Sequence, residues 1–191
     1  MRKSLFALAT VSVLSAGAAQ AESAIYAIDP THTFVTFEIS HFGTSTNRGR
    51  FDKKEGSVQF DRAGKSGKVQ LTIDANSINT GTAAFDKHLR SADLFDAEKH
   101  PTIKFSADKF VFAGDKVTEV VGTLTLLGKT NPVTLKASQF NCYQSPMLKR
   151  EVCGGDFVAT VDRTTYGMNY GIDWGFPKDV RLVVQVEAVK Q

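Results

Sequence analysis

The sequence predicts an all-β fold: an antiparallel β-barrel of about eight strands, with one short helix across or near one end. Three observations carry that expectation. Apolar and polar residues alternate along one segment after another, which is the pattern of half-buried antiparallel strands. Clusters of Gly, Asn, Asp and Pro separate those segments. Only the stretch 82–105 changes to a helical period.

A closed barrel is preferred to a sandwich because the inferred inward positions mix sizes. Gly122, Ala107, Ala137 and Ala159 share faces with Phe105, Leu124, Leu135 and Phe157. Small residues opposite large ones leave room, and a small barrel can enclose one ligand. A filled core interdigitates with the same mixture, so container and packed core both stay open on pattern alone.

The first segment stands outside the fold. Arg2 and Lys3 precede an apolar run from Leu5 to Leu14, and Ala19-Gln20-Ala21 has the form of a cleavage site. Residues 1–21 are therefore expected to be a cleaved signal peptide and 22–191 the single barrel domain. The apolar run is too short to span a bilayer, and no later run approaches that length. Export without a lipobox cysteine points to the periplasm.

From Tyr26 onward the period is two. Val35, Phe37 and Ile39 alternate with Thr36 and Glu38, and Val69, Leu71 and Ile73 with Lys68, Gln70, Thr72 and Asp74. A turn is expected over Asp61 to Gly67. The helical stretch follows, with Phe85, Leu89 and Ala92 at i, i+4 and i+7 as one apolar stripe. Asp86 precedes Arg90 by four, the favourable order for a helical ion pair, and Thr80 or Thr82 can cap the start. Pro101 stops any helix and opens a strand over Ile103 to Phe112. Turns at Ala113-Gly114-Asp115 and Gly128 to Pro132 bound two further strands, the second carrying Val133 and Leu135. The last strand sets Val180, Leu182, Val184 and Val186 against Arg181, Gln185 and Glu187.

Charge narrows the function. The net charge of +3 includes Arg2 and Lys3, and without them 21 basic residues face 20 acidic ones. With no basic stripe to neutralise phosphates in series, a nucleic-acid partner is not expected. The two cysteines, Cys142 and Cys153, flank Tyr143 to Val152 between two expected strands. In an oxidising compartment this reads as a disulfide across a hairpin, contributing about 3 kcal/mol in the chain-entropy model. C-x10-C is neither a redox nor a zinc spacing.

The histidines, His32, His41, His88 and His100, form no metal-binding pair at helical spacing, and no cofactor is implied. His41 continues the inward series Val35, Phe37, Ile39. It either bonds a backbone carbonyl at the barrel rim or touches the head of a ligand. Asp86, His88 and Arg90 crowd one helix and offer an alternative, a periplasmic enzyme using this charged surface. No nucleophile elbow, phosphate loop or nucleotide fingerprint supports it. A solvated, ion-paired helix face accounts for the same residues.

Longer motifs carry a family resemblance. Asp86-Lys87-His88-Leu89-Arg90-Ser91-Ala92-Asp93-Leu94-Phe95-Asp96, then His100-Pro101-Thr102-Ile103-Lys104-Phe105, closely resembles the hallmark of the YceI-like family. The resemblance includes Phe37 to Gly43 with Gly49-Arg50-Phe51, Gly122 to Thr130 before Pro132-Val133, Arg163 with Tyr166-Gly167-Met168, and the strand closing at Val189. It implies a lipocalin-like barrel, secreted or periplasmic, that holds a polyisoprenoid or other long-chain lipid and is not an enzyme. Two features depart from the pattern: the Cys142/Cys153 pair with its insertion, and Tyr166 where Phe is usual. Under this reading Val35, Phe37, Ile39, Val69, Leu71, Ile73, Phe105, Leu124, Leu126, Leu135 and Val184 touch the lipid chain. His41 and Arg163, with His88 or Arg90, are candidates for the head group. A homodimer stays open.

Overall fold

The alternation of the sequence is realised as eleven strands, described in a computed structural model over residues 23–191. The expected signal peptide lies outside the described residues. In chain order the strands are β1 (Ala24–Ile28), β2 (Phe34–His41), β3 (Ser45–Phe51), β4 (Lys54–Asp61), β5 (Ser66–Asp74) and β6 (Ile78–Asn79). After helix α1 (Ala83–Arg90) come β7 (Thr102–Ala113), β8 (Lys116–Leu126), β9 (Lys129–Gln144), β10 (Glu151–Asp162) and β11 (Asp179–Lys190).

The eleven strands make an eight-stranded barrel because three barrel strands are interrupted. β1 and β2 both pair with β11, Ala27 facing Val189 and Val35 facing Val184. β4 pairs with β1 and β3 with β2, while β5 pairs with β4 and β6 with β3. Each pair, β1 with β2, β3 with β4 and β5 with β6, is thus one long strand broken near its middle. β7 to β11 add five uninterrupted strands in chain order, and β11 closes the barrel onto β1 and β2. The result is an up-and-down antiparallel meander, with each strand beside its chain neighbours.

Local chemistry makes the breaks. At the first, the Asp29 carboxylate accepts from the Thr31 amide (2.8 Å) and hydroxyl (2.6 Å) beside Pro30, a side-chain turn that replaces ladder bonds. At the third, Asp74 accepts from the Asn76 amide (2.9 Å) and caps a 3-10 turn over Ala75–Ser77. That turn faces the second break, where Asp52 and Lys53 donate their amides to the Ser77 carbonyl and hydroxyl, each at 3.0 Å.

The helical segment is shorter than its sequence pattern predicts. α1 ends at Arg90, and the expected stripe residue Ala92 is exposed in the turn beyond it. Phe85 and Leu89 do pack inward, and Leu94 and Phe95 extend that apolar surface from the following turn. The predicted Asp86–Arg90 ion pair does not form. Asp86 instead accepts from the amide and the hydroxyl of Thr80, both at 2.7 Å. Thr82 occupies the cap position without a side-chain bond.

Two other expectations shift. The turn before β9 contains only Leu127 and Gly128, and Pro132 lies within the strand opposite Thr123. In β7 the ladder slips between Ala107 and Lys109. This bulge changes the phase of alternation, so Phe105 and Ala107 share the inner side with Phe110 and Phe112.

Candidate functional site

The inward residues enclose two cavities that follow one another along the barrel, of about 340 Å³ and about 90 Å³. The strands show the succession. On β11, Val180 and Leu182 line the larger cavity and Val184 and Val186 the smaller. On β5 and β7, Ile73 and Ile103 line the larger, and Leu71 and Phe105 the smaller. On β10, Phe157 lines the smaller and Val161 the larger, with Ala159 between them.

The thirteen residues expected to face the ligand lie in these walls, as does His88; Arg90, the other head-group candidate, is not among the wall residues. Val35, Phe37, Ile39, His41, Ile73, Leu124, Leu126 and Arg163 line the larger cavity. Val69, Leu71, Phe105, Leu135 and Val184 line the smaller. For β2, β5, β8, β9, β10 and β11, and for β7 as far as Ala107, period-two alternation therefore assigned the inner face; Arg163 lies in a 3-10 turn after β10.

The smaller cavity ends against a cluster built on Phe60, whose ring centroid lies 6.1, 6.1 and 5.8 Å from those of Phe110, Phe112 and Phe140. There Tyr26, buried in the wall, donates its hydroxyl to Glu151. Burial, reinforced by Glu151, pushes the phenol well above its ordinary range. Cys142 and Cys153 face each other across β9 and β10 and form a disulfide, with Cα atoms 4.1 Å apart.

The larger cavity is covered by a lid that period-two reasoning missed. Residues 163–178 connect β10 to β11, and the aromatic rings of 167–178 join those of α1 and of the end of β2. Tyr170 stands edge-on to His88 (5.0 Å) and to Trp174 (5.2 Å). Phe176 stands edge-on to His41 (5.9 Å) and Phe42 (5.4 Å). All six line the cavity. His41 is thus exposed at the mouth within an aromatic cluster rather than bonded to a rim carbonyl.

A signal for this lid was present in the sequence. Tyr166-Gly167, Tyr170-Gly171 and Trp174-Gly175 place an aromatic before a glycine every four residues. Each glycine is left-handed, with φ of 89°, 78° and 80°, a conformation that carries little steric cost only without a Cβ. Each therefore reverses the chain and brings the next aromatic back over the barrel.

One side chain ties both ends of the lid to the barrel. Arg163 is 3% exposed. Its Nε donates to the carbonyl of Pro177 (2.8 Å) and its Nη1 to that of Met168 (2.7 Å). The Phe176 ring lies over the guanidinium, 5.5 Å from Cζ. Beside it, Asp162 accepts from Lys178 Nζ (2.8 Å) and from the Thr164 amide (2.9 Å) and hydroxyl (2.6 Å). The bond from Lys178, then those from Thr164, lower the Asp162 carboxyl to a pKa of about 2.

Asp86, His88 and Arg90 do not converge on one point. Asp86 is engaged by Thr80, and His88 faces Tyr170 in the cavity wall. Of the remaining histidines, His32 donates Nδ1–H to Asp29 (2.7 Å) on the outer surface, and His100 lies near Gly128.

An up-and-down β-barrel with a lidded, apolar interior is a protein built to enclose something. The sequence profile of the YceI-like domain matches residues 26–188, and the chain belongs to that family. A UPF0312 protein of Pseudomonas aeruginosa is 37% identical over 195 residues, covering 100% of both chains. Among solved structures, the YCEI protein of Campylobacter jejuni is 25% identical with a TM-score of 0.69, covering 80% of this chain and 90% of that one. A polyisoprenoid binding domain from Saccharophagus degradans shares the fold at 18% identity and a TM-score of 0.62, covering 89% of this chain and 100% of that one.

Proposed function

We propose that this chain is a periplasmic, non-catalytic binding protein that carries or sequesters a polyisoprenoid or related long-chain amphiphile in the barrel interior. The apolar interior beneath the lid carries the reading. Apart from Asn47, His41, His88, Arg163 and the tyrosine and tryptophan of the lid, the wall of the larger cavity is hydrocarbon, aromatic or thioether side chain and glycine. Its volume of about 340 Å³ falls in the range of small-molecule sites. Each CH2 taken from water into such a space contributes about 0.8 kcal/mol, so a long chain is retained without directional contacts. The polyisoprenoid-binding relative supports the same ligand class, and the signal-like residues 1–21 support export.

In this reading the thirteen wall residues predicted from sequence are the ligand contacts. The chain lies along the two cavities, and its head sits at the lidded end near His41, His88 and Arg163. Protein purified without detergent and extracted into organic solvent should yield a long-chain lipid by mass spectrometry, in near-stoichiometric amount. An empty extract, together with no uptake of added isoprenoid by delipidated protein, would overturn the reading.

A further inference from the structure

Two of the three guanidinium nitrogens of Arg163 are accounted for by the lid, and the third is not. Nε and Nη1 hold the carbonyls of Pro177 and Met168, whereas Nη2 is buried and bonds to nothing among the described residues. A buried donor left unpaired is costly, and native structures rarely keep one without a use.

The charge is as telling as the donor. A guanidinium does not lose its proton in a protein, so Arg163 brings a full positive charge to the wall of an apolar cavity. No carboxylate pairs with it among the described residues. Its chain neighbour Asp162 is occupied by Lys178 and Thr164. Two carbonyl dipoles and the face of Phe176 soften the charge but do not neutralise it. A purely structural staple for the lid explains Nε and Nη1; it explains neither Nη2 nor the missing counter-ion.

We infer that Arg163 is a head-group receptor, and that the ligand of this barrel ends in an anionic oxygen group, a phosphate or a carboxylate, which Nη2 binds. This rests on the lipid-container reading and adds a chemical class to it. Nη2 has almost no surface open to the cavity in this closed arrangement, so an anion reaches it only when the lid ring Phe176 beside the guanidinium moves, and seating the head is coupled to how the 167–178 segment opens.

The test uses four C20 probes of one chain type: geranylgeranyl phosphate, geranylgeranoic acid, its methyl ester and geranylgeraniol. Each is titrated into delipidated protein at pH 7.5, with the fluorescence of Trp174, the single tryptophan, as readout. Wild type is expected to bind at least one anionic probe about tenfold or more tightly than either neutral probe. The phosphate and acid arms identify which anion is preferred. Arg163→Met should bring all four affinities within about threefold of one another, while Lys87→Met, on the exposed face of α1, should leave the preference intact.

Equal binding of anionic and neutral probes by wild type would overturn the head-group assignment and leave the container reading standing. No binding of any probe would remove both. A preference that survives Arg163→Met, or that disappears in Lys87→Met, would overturn the role of Arg163. If Arg163→Met does not fold, the wild-type preference with the Lys87→Met control decides the question.

Discussion

Asp86 shows how one residue changes its role between sequence and structure. Its spacing from Arg90 suits a helical pair, but the carboxylate turns toward the chain entering α1 and binds Thr80 twice. Charged acceptors on backbone amides at helix starts outweigh exposed ion pairs. Asp86→Ala should therefore lower stability by about 1 kcal/mol, read as a few degrees in a melting curve, with the bound-lipid content unchanged. Asp162 offers a pH test at the lid. Its folded pKa of about 2 lies below the ordinary carboxylate value near 3.9. A depressed pKa contributes stability above the unfolded value, and that contribution disappears as pH falls from about 4 to about 2. Melting curves of wild type and Asp162→Asn should differ at pH 6 and converge across that window; a constant gap would contradict it.

At the scale of elements, the disulfide and the lid are separable parts at opposite ends. The cross-link lies beside the Phe60 cluster, remote from the lid on the 167–178 segment. Replacing Cys142 and Cys153 by alanine should lower the melting temperature, with an upper cost of about 3 kcal/mol, and leave lipid content unchanged. Unfolded, unreduced wild type should show no free thiol on labelling. In the lid, Gly171 has φ of 78° and a Cβ there would lie 3.1 Å from Phe176 Cβ. Gly171→Ala meets both backbone strain and contact. It should weaken lid closure, seen as faster dissociation of bound lipid with a smaller change in melting temperature.

For the whole molecule, the decisive question is whether the interior is space or core. Ala159 lies on β10 between the wall residues of the two cavities and opposite Leu182. A ring placed there in a filled core costs about 1–3 kcal/mol through forced rotamers. In a container it occupies room that a ligand would hold and separates the two cavities. Delipidated Ala159→Phe should then melt close to delipidated wild type while losing its co-purifying long chain. Early unfolding of the variant, with no lipid in wild type, would indicate an ordinary core. Ala137→Phe, on the neighbouring strand, repeats the test independently.

The sequence by itself determined the barrel class, the strongly alternating strands and the inner faces of those strands. Alternation is a local property: once one face is apolar, a one-residue slip would turn every side chain outward. Hence Val35, Phe37, Leu71, Leu124 and Val184 were legible as wall residues without knowing their neighbours. What only the tertiary structure decided is everything that depends on elements distant in the chain. The three broken strands count as strands only when β11 and their partners bridge the gaps. The bulge after Ala107 brings Phe110 to the inner side by pairing with β8. The lid follows no strand or helix period, since its order comes from left-handed glycines and from rings on α1, β2 and the 167–178 segment meeting over one opening. Arg163 was legible as a cation in a family motif. That one of its nitrogens is buried without a partner is a fact of three-dimensional packing, because desolvation depends on what surrounds a group in space.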